Sequence, residues 1–235
     1  MTECDFYSYS GLGRRAVNQD CSEVRRLPGG GLLAVVADGM GGYSCGEVAA
    51  RVVVDALVDY VEAHCATMSP EDVLTEAFPF ADDCLSLRRL ALGVRHMGSV
   101  AVAAIVRDGR AALAWLGDSR AYVVRQGGIV CQTEDHSVLN MLRKDGEPTA
   151  EQLRRYASAV TRCLMGADDD DVCPSVRSLA LRPADQLLLC SDGLYRGADV
   201  LSLPQDDAEL THFLNQRQDQ MADNYTLVRI KIKET

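Results

Sequence analysis

Residues 31–47 read GLLAVVADGMGGYSCGE. Residues 32–37 form an unbroken apolar run of strand length, which ends on a carboxylate, Asp38, and then gives way to glycines. An Asp-Gly pair between two strands is ordinarily a hairpin turn. Asp108-Gly109 fits that reading, because the strand-like runs VAVAAIV and RAALAWLG flank it. Asp38-Gly39 does not, because the next periodic segment is helical. The arrangement returns in DQLLLCSDGLY, where 187–189 run into Asp192-Gly193. Two apolar strands that each deliver an aspartate at their end predict a shared site rather than two turns.

Outward from that stretch, residues 6–9 read as a short strand and 21–27 as a second, closed by PGGG. From Gly46 the period changes: Val48, Val52, Ala56 and Tyr60, with Ala49, Val53, Leu57 and Val61, make an apolar stripe at helical spacing. Ser69 as N-cap and Pro70 at the first position open a helix over SPEDVLTEAF, and a further helix covers 81–92. After HMGS, the runs VAVAAIV, RAALAWLG, AYVVR and IVCQT predict a four-strand meander. Residues 134–156 read as helical and polar, broken at KDGEP, and VRSLALRPADQLLLC reads as strand, turn and strand. Residues 207–220 are weakly helical. The closing NYTLVRIKIKE alternates Val228, Ile230 and Ile232 with Arg229, Lys231 and Lys233. With no repeat, linker or low-complexity tract, one domain is expected.

The 235 residues are 47% hydrophobic and 25% charged, the balance of a soluble globular protein. No run is long enough to cross a bilayer, and MTECDFYSYS lacks the basic and apolar regions of a secretory signal. A net charge of −10 argues against nucleic acid as a partner. The acidic run ADDDD at 167–171 reads as a solvated loop. Nine cysteines without a C-x-x-C pair read as reduced thiols of a cytoplasmic protein, and four scattered histidines make a zinc site improbable.

Two motif matches carry little. GLGRRA at 11–16 fits a dinucleotide fingerprint in letters, but no helix opens after it. CSDGLYR sets Cys190 six residues before Arg196, and Cys45 stands in the same relation to Arg51. Cysteine-dependent phosphatases use that spacing, yet Asp192 would place its charge inside the phosphate cradle. The acids are more informative as a set. Asp20, Asp38, Asp118, Asp192 and Asp223 each stand where an apolar strand begins or ends. Converging carboxylates repel by several kcal/mol at low dielectric unless cations intervene. Oxygen-only ligands favour Mg²⁺ or Mn²⁺, and a pair of such ions activates water for in-line attack on a phosphate ester.

In order along the chain, R-x-x-N-Q-D, V-A-D-G-M-G-G, M-G-S, G-D-S-R-x-Y, D-H-S, L-L-C-S-D-G-L and D-N-x-T span Arg15 to Thr226. The series resembles the metal-dependent protein serine/threonine phosphatases of type 2C in their compact bacterial form. The resemblance implies an α+β fold, a four-layer αββα sandwich of two mostly antiparallel sheets flanked by helices. It implies one catalytic domain over 1–235, with a flap at about 136–159 beside the cleft.

By the same resemblance, Asp38 bridges two Mg²⁺ or Mn²⁺ ions and Gly39 offers its carbonyl to one of them. Asp192 and Asp223 are direct ligands, and Asp118 joins Asp192 around a third, weaker ion. Asp20 acts through water, and Arg15 grips the substrate phosphate. The implied substrates are phosphorylated proteins, often shared with a cognate serine/threonine kinase, and no phosphoenzyme forms. The chain departs from the pattern at Gln19 (usually Glu), Met40 (a His in animal members), Tyr43 and the flap, which lacks a His-Pro sequence. A catalytically silent phosphoprotein-binding module is the alternative. A silent copy is expected to have lost Asp38, Asp192 or Asp223, and all three are present.

Overall fold

A computed structural model describes residues 3–40, 45–166 and 171–233. Gly41, Gly42, Tyr43 and four of the five residues of the ADDDD run lie outside the described residues. The strands are β1 (Cys4–Gly11), β2 (Asp20–Arg26), β3 (Leu32–Gly39), β4 (Ser99–Arg107), β5 (Arg110–Leu116), β6 (Arg120–Arg125), β7 (Gly128–Gln132), β8 (Ser175–Ala180), β9 (Gln186–Cys190) and β10 (Tyr225–Ile232). The helices are α1 (Gly46–His64), α2 (Pro70–Leu92), α3 (Val138–Asp145), α4 (Ala150–Arg155), α5 (Asp192–Gly197) and α6 (Asp207–Gln216).

The apolar run of β3 is continuous because both of its faces are covered. Leu33, Val35 and Ala37 pack with the buried faces of α1 and α2, while Leu32, Ala34 and Val36 pack between the sheets. β4 divides in the same way, with Ala101, Ala103 and Ile105 on the helical side and Val102, Ala104 and Val106 on the other. One sheet runs β2-β3-β4-β5-β8 and the other β1-β10-β9-β6-β7. The outer face of the second sheet buries Leu188, Cys190, Tyr225 and Leu227 against Leu194 of α5 and Leu210 and Leu214 of α6. Four layers result, helices, sheet, sheet and helices, with every strand pairing antiparallel. This is the αββα sandwich that the resemblance implies.

Three local expectations are corrected. The two helices expected over SPEDVLTEAF, at 69–78, and over 81–92 are one, α2, running through Pro79. Proline removes the donor that would reach the Thr75 carbonyl and crowds that turn. Val73, Leu74, Ala77, Phe78, Ala81 and Leu85, all buried, hold the helix together across the break. The four-strand meander is two hairpins in different sheets. Asp108 and Gly109, at φ 50° and 72°, make the tight turn between β4 and β5. The chain then crosses through Gly117-Asp118-Ser119 to start β6 in the opposite sheet. Gly117 takes φ +109°, and a Cβ there would strike the Val100 side chain. Likewise RPAD does not join two neighbours: β8 pairs with β5 and β9 with β6 and β10.

The second face of β10 is buried at Arg229. That residue is 1% exposed, donates to the Pro204 and Gln205 carbonyls, and pairs with Asp207 at the start of α6. Among the described residues, no helix is long and apolar enough to cross a membrane.

Because all neighbours are antiparallel, the start of β2, the end of β3, the β5–β6 crossing, the end of β9 and the start of β10 fall at one end of the sandwich. That end carries all five aspartates.

Candidate metal centre

Asp20 opens β2 directly across from Asp38, near the end of β3. The backbone around Asp38 is fixed from both sides. Ser99 Oγ donates to the Asp38 carbonyl at 2.9 Å, the Gly39 N–H to the Gln19 carbonyl at 3.0 Å, and the Met40 N–H to the Gly98 carbonyl at 3.1 Å. A Cβ on Gly39 would run into the Gly46 carbonyl where α1 begins, so only glycine allows the helix to start so close to the strand end. The Gln19 side chain lies against Gly46.

The second sheet supplies the facing half. Ser191 Oγ donates to Asp20 Oδ2 at 2.6 Å and accepts from the Thr226 N–H at 2.9 Å, which joins the two sheets through one hydroxyl. Asn224 accepts from the Gln19 N–H at 2.9 Å and donates to the Leu12 and Val17 carbonyls at 2.9 and 3.1 Å. This amide pins the loop that carries Arg15, whose guanidinium meets Asp223 at 2.6 Å. Asp192 starts α5, and Asp118 lies in the β5–β6 crossing. Arg196 stands between them, at 2.9 Å from Asp192 and 3.3 Å from Asp118.

Burial and mutual repulsion set the electrostatics. Burial, then the charges of Asp20, Asp192, Asp118 and Asp223, push the Asp38 carboxyl well above its ordinary value. Burial raises Asp20 to about 7 against the pull of its bonds to Ser191 and Thr226. Burial and Asp192 raise Asp118 to about 7, with Arg196 pulling the other way. Asp192 is raised too, mainly by burial.

The donor set fits hard divalent cations. Asp20 Oδ1 and Asp192 Oδ1 are buried with no hydrogen-bond partner, a condition that costs ~1–3 kcal/mol or more for a charged group. A cation relieves both the orphaned oxygens and the repulsion, and oxygen-only donors suit Mg²⁺ or Mn²⁺ over zinc. Arg15 and Arg196 supply positive charge to Asp223, Asp192 and Asp118.

The structure therefore brings together every residue singled out from the sequence: Arg15, Asp20, Asp38, Gly39, Asp118, Asp192 and Asp223. It also closes the cysteine-phosphatase reading of CSDGLYR. Cys190 is fully buried on the outer face of its sheet, and burial pushes its thiol far above the ordinary range, away from thiolate. Sequence reasoning missed Ser99, Ser191, Asn224 and Arg196. Ser191 and Asn224 were visible inside the CSDG and DNYT blocks, but nothing marked their bonding roles.

Beside the centre, residues 137–160 close on themselves: the Val138 N–H donates to the Ala159 carbonyl and the Thr161 N–H to the His136 carbonyl, each at 2.8 Å. His136 anchors this base. Its Nδ1 accepts from the Gly117 N–H at 3.2 Å, its Nε2 meets Ser175 Oγ at 2.9 Å, and its ring stacks on Trp115. Burial, then Arg162, lowers its pKa to about 4, although Asp135 and Glu134 pull upward. A depressed histidine contributes stability above its unfolded value of about 6.5, which is lost as pH falls through about 4. Trp115 is the chain's single tryptophan. Its fluorescence is expected to change with a midpoint near pH 4, and His136→Gln to abolish that step. An unchanged step in the variant would assign it to another group.

Residues 9–230 match the family model described as Protein phosphatase 2C. The serine/threonine phosphatase stp of Listeria welshimeri is 30% identical over 168 residues, 69% of this chain and 66% of that protein. The serine/threonine protein phosphatase PstP of Mycobacterium tuberculosis is 31% identical over 187 residues, 77% of this chain but 34% of that protein. The PstP catalytic domain, solved in complex with two manganese ions, superimposes with a TM-score of 0.79 at 28% identity, covering 98% of this chain and 99% of that one. A bacterial serine phosphatase superimposes with a TM-score of 0.85 at 28% identity, covering 100% and 99%. A sandwich with this strand order, five acids gathered at one of its ends and a family match over nearly its whole length lead to one conclusion: the chain belongs to the protein phosphatase 2C family.

Proposed function

We propose that this protein is a divalent-metal-dependent phosphoprotein phosphatase that hydrolyses phosphoserine and phosphothreonine, acting in the cytoplasm on proteins phosphorylated by serine/threonine kinases. The observation that carries the reading is the convergence of five aspartates, two of them with a buried oxygen that has no hydrogen-bond partner, beside a half-exposed arginine. Asp38, Asp192 and Asp223, with the Gly39 carbonyl, would hold two Mg²⁺ or Mn²⁺ ions, and Asp20 would orient water at their edge. When bound, such ions supply an activated water and draw charge from the phosphoryl oxygens.

The chain's own residues do the rest. Arg15 is half-exposed and held by one carboxylate, so its planar fork is free to turn from Asp223 to a phosphate. A cleft of about 290 Å³ lies beside it, lined by Arg15, Ser158, Gly193, Arg196, Gln220 and Asp223 among others, and receives the phosphorylated side chain. Residues 136–159 form the flap over this cleft. Ser99, Ser191 and Asn224 keep the two halves of the centre in register before substrate arrives. The retention of every ligand position supports a working enzyme over a silent binding module.

The test is hydrolysis of a phosphothreonine peptide with Mn²⁺ and with chelator. Activity is expected only with metal, and activity that survives chelation would sink the proposal. Arg15→Ala is expected to lower kcat/KM by ~10–100-fold, the loss of one charge-assisted phosphate contact, chiefly through KM. Mn²⁺ binding, measured by calorimetry, should persist in that variant.

A further inference from the structure

Arg196 lies one turn into α5, four residues after Asp192, and its guanidinium has four partners. It donates toward Asp192 at 2.9 Å and Asp118 at 3.3 Å, to Ser158 Oγ at 3.0 Å, and to the Ala157 carbonyl at 2.8 Å. The two carboxylates are mostly buried, with side chains 10% and 8% exposed. They approach each other because α5 starts at Asp192 while the β5–β6 crossing delivers Asp118. The crossing is tied down by the Tyr195 hydroxyl, which donates to the Asp118 carbonyl at 3.0 Å. Two buried carboxylates side by side demand positive charge. Guanidinium supplies it permanently, since it cannot be deprotonated in a protein, and its fork reaches both acids while its remaining donors point at residues 157–158.

We infer that Arg196 is the resident cation of the Asp118–Asp192 pair: it fills with protein charge the place where these acids would otherwise hold a further divalent ion, and with the same guanidinium it moors residues 157–158 over the cleft. The inference rests on the metal reading of the remaining acids. An ion entering between Asp118 and Asp192 would have to displace the guanidinium, and the displaced group would let go of Ala157 and Ser158. Occupancy of this position by metal and mooring of the flap therefore exclude each other.

Counting bound Mn²⁺ by calorimetry and by equilibrium dialysis tests this. The wild type is expected to bind two ions, Arg196→Met three, and Arg196→Lys, which keeps the charge, two. Trypsin is expected to cut after the exposed Arg154 and Arg155 faster in Arg196→Met than in the wild type. Asp118→Asn supplies a test that does not depend on the folding of Arg196→Met: the ion count should stay at two, because no ion is lost with that carboxylate. A wild type that binds three ions and an Asp118→Asn protein that binds two would overturn the inference, as would two ions in a folded Arg196→Met. No Mn²⁺ binding by the wild type would overturn the metal reading itself, and this inference with it.

Discussion

Asp38→Asn is expected to cut Mn²⁺-dependent hydrolysis of a phosphothreonine peptide by ~10³-fold or more and, in chelator at pH 7.5, to raise the melting temperature. The two effects have one origin. Asp38 sits at the middle of the acid cluster, its charge disfavoured by burial and by four neighbouring aspartates. As the proposed ligand to both ions, Asp38 is expected to contribute several kcal/mol in the transition state, and each ~1.4 kcal/mol is tenfold in rate. Without metal that same charge is a liability. Replacing it with a neutral amide of equal size relieves repulsion worth ~1–2 kcal/mol, a gain of roughly 2–8 °C for a domain of this size. Kinetics beside thermal melts in chelator check both halves. An inactive variant with a lower melting temperature would mean that Asp38 is paired in the metal-free fold, contrary to the electrostatics described above.

The second large effect is on the pH dependence of stability, which is expected to reverse sign with metal. In the folded, metal-free chain Asp20 and Asp118 titrate near 7, against an ordinary value of 3.8. Between those limits the folded state holds more protons than the unfolded one, so unfolding releases protons and stability falls as pH rises. The contribution is present below about pH 4 and is lost as pH climbs through about 7, a sum on the order of several kcal/mol. His136 works in the opposite direction over the lower part of the range. Metal ligands must be deprotonated, so stabilisation by Mn²⁺ grows over the same interval. Melting temperatures with Mn²⁺ and with chelator should nearly coincide at pH 5 and differ by roughly 5–10 °C at pH 7.5, the shift expected when ligand exceeds its dissociation constant about 100-fold. Parallel curves across that range would show that the acids stay charged without metal.

Much of this was legible in the residues. The apolar run before Asp38 and the glycines after it marked a strand end facing a site, because no other arrangement needs both. What was not legible was where the chain changes sheets. GDSR between β5 and β6 looks like a turn, and the letters that make a hairpin also make a crossing. Only packing on both faces of β4 and β5 decides that β6 must leave. Pro79 misled for a related reason, since local propensity breaks the helix there and the tertiary contacts of Phe78 and Ala81 restore it. Arg196 was marked only by its spacing from Cys190, which pointed to the wrong chemistry. One arginine on a short helix acquires its role from Asp118, which is distant in sequence and arrives through that unpredictable crossing.

The pairing of β1 with β10 makes the site depend on segments far apart in the sequence. The arginine assigned to the phosphate lies in the loop that follows the first strand, and the amide that fixes this loop, Asn224, stands just before the last. Within its sheet β1 pairs with β10 alone, and the direction of Arg15 depends on a loop held by a residue more than two hundred positions later. Two acids of the centre, Asp20 and Asp38, face each other across one ladder of the other sheet, whereas Asp223 stands just before β10. Without β10 the sheet lacks the strand between β1 and β9, and the loop of Arg15 lacks the amide that holds it. The site is whole only with β10 lying between β1 and β9, so one strand couples the arginine loop to the acids of the second sheet.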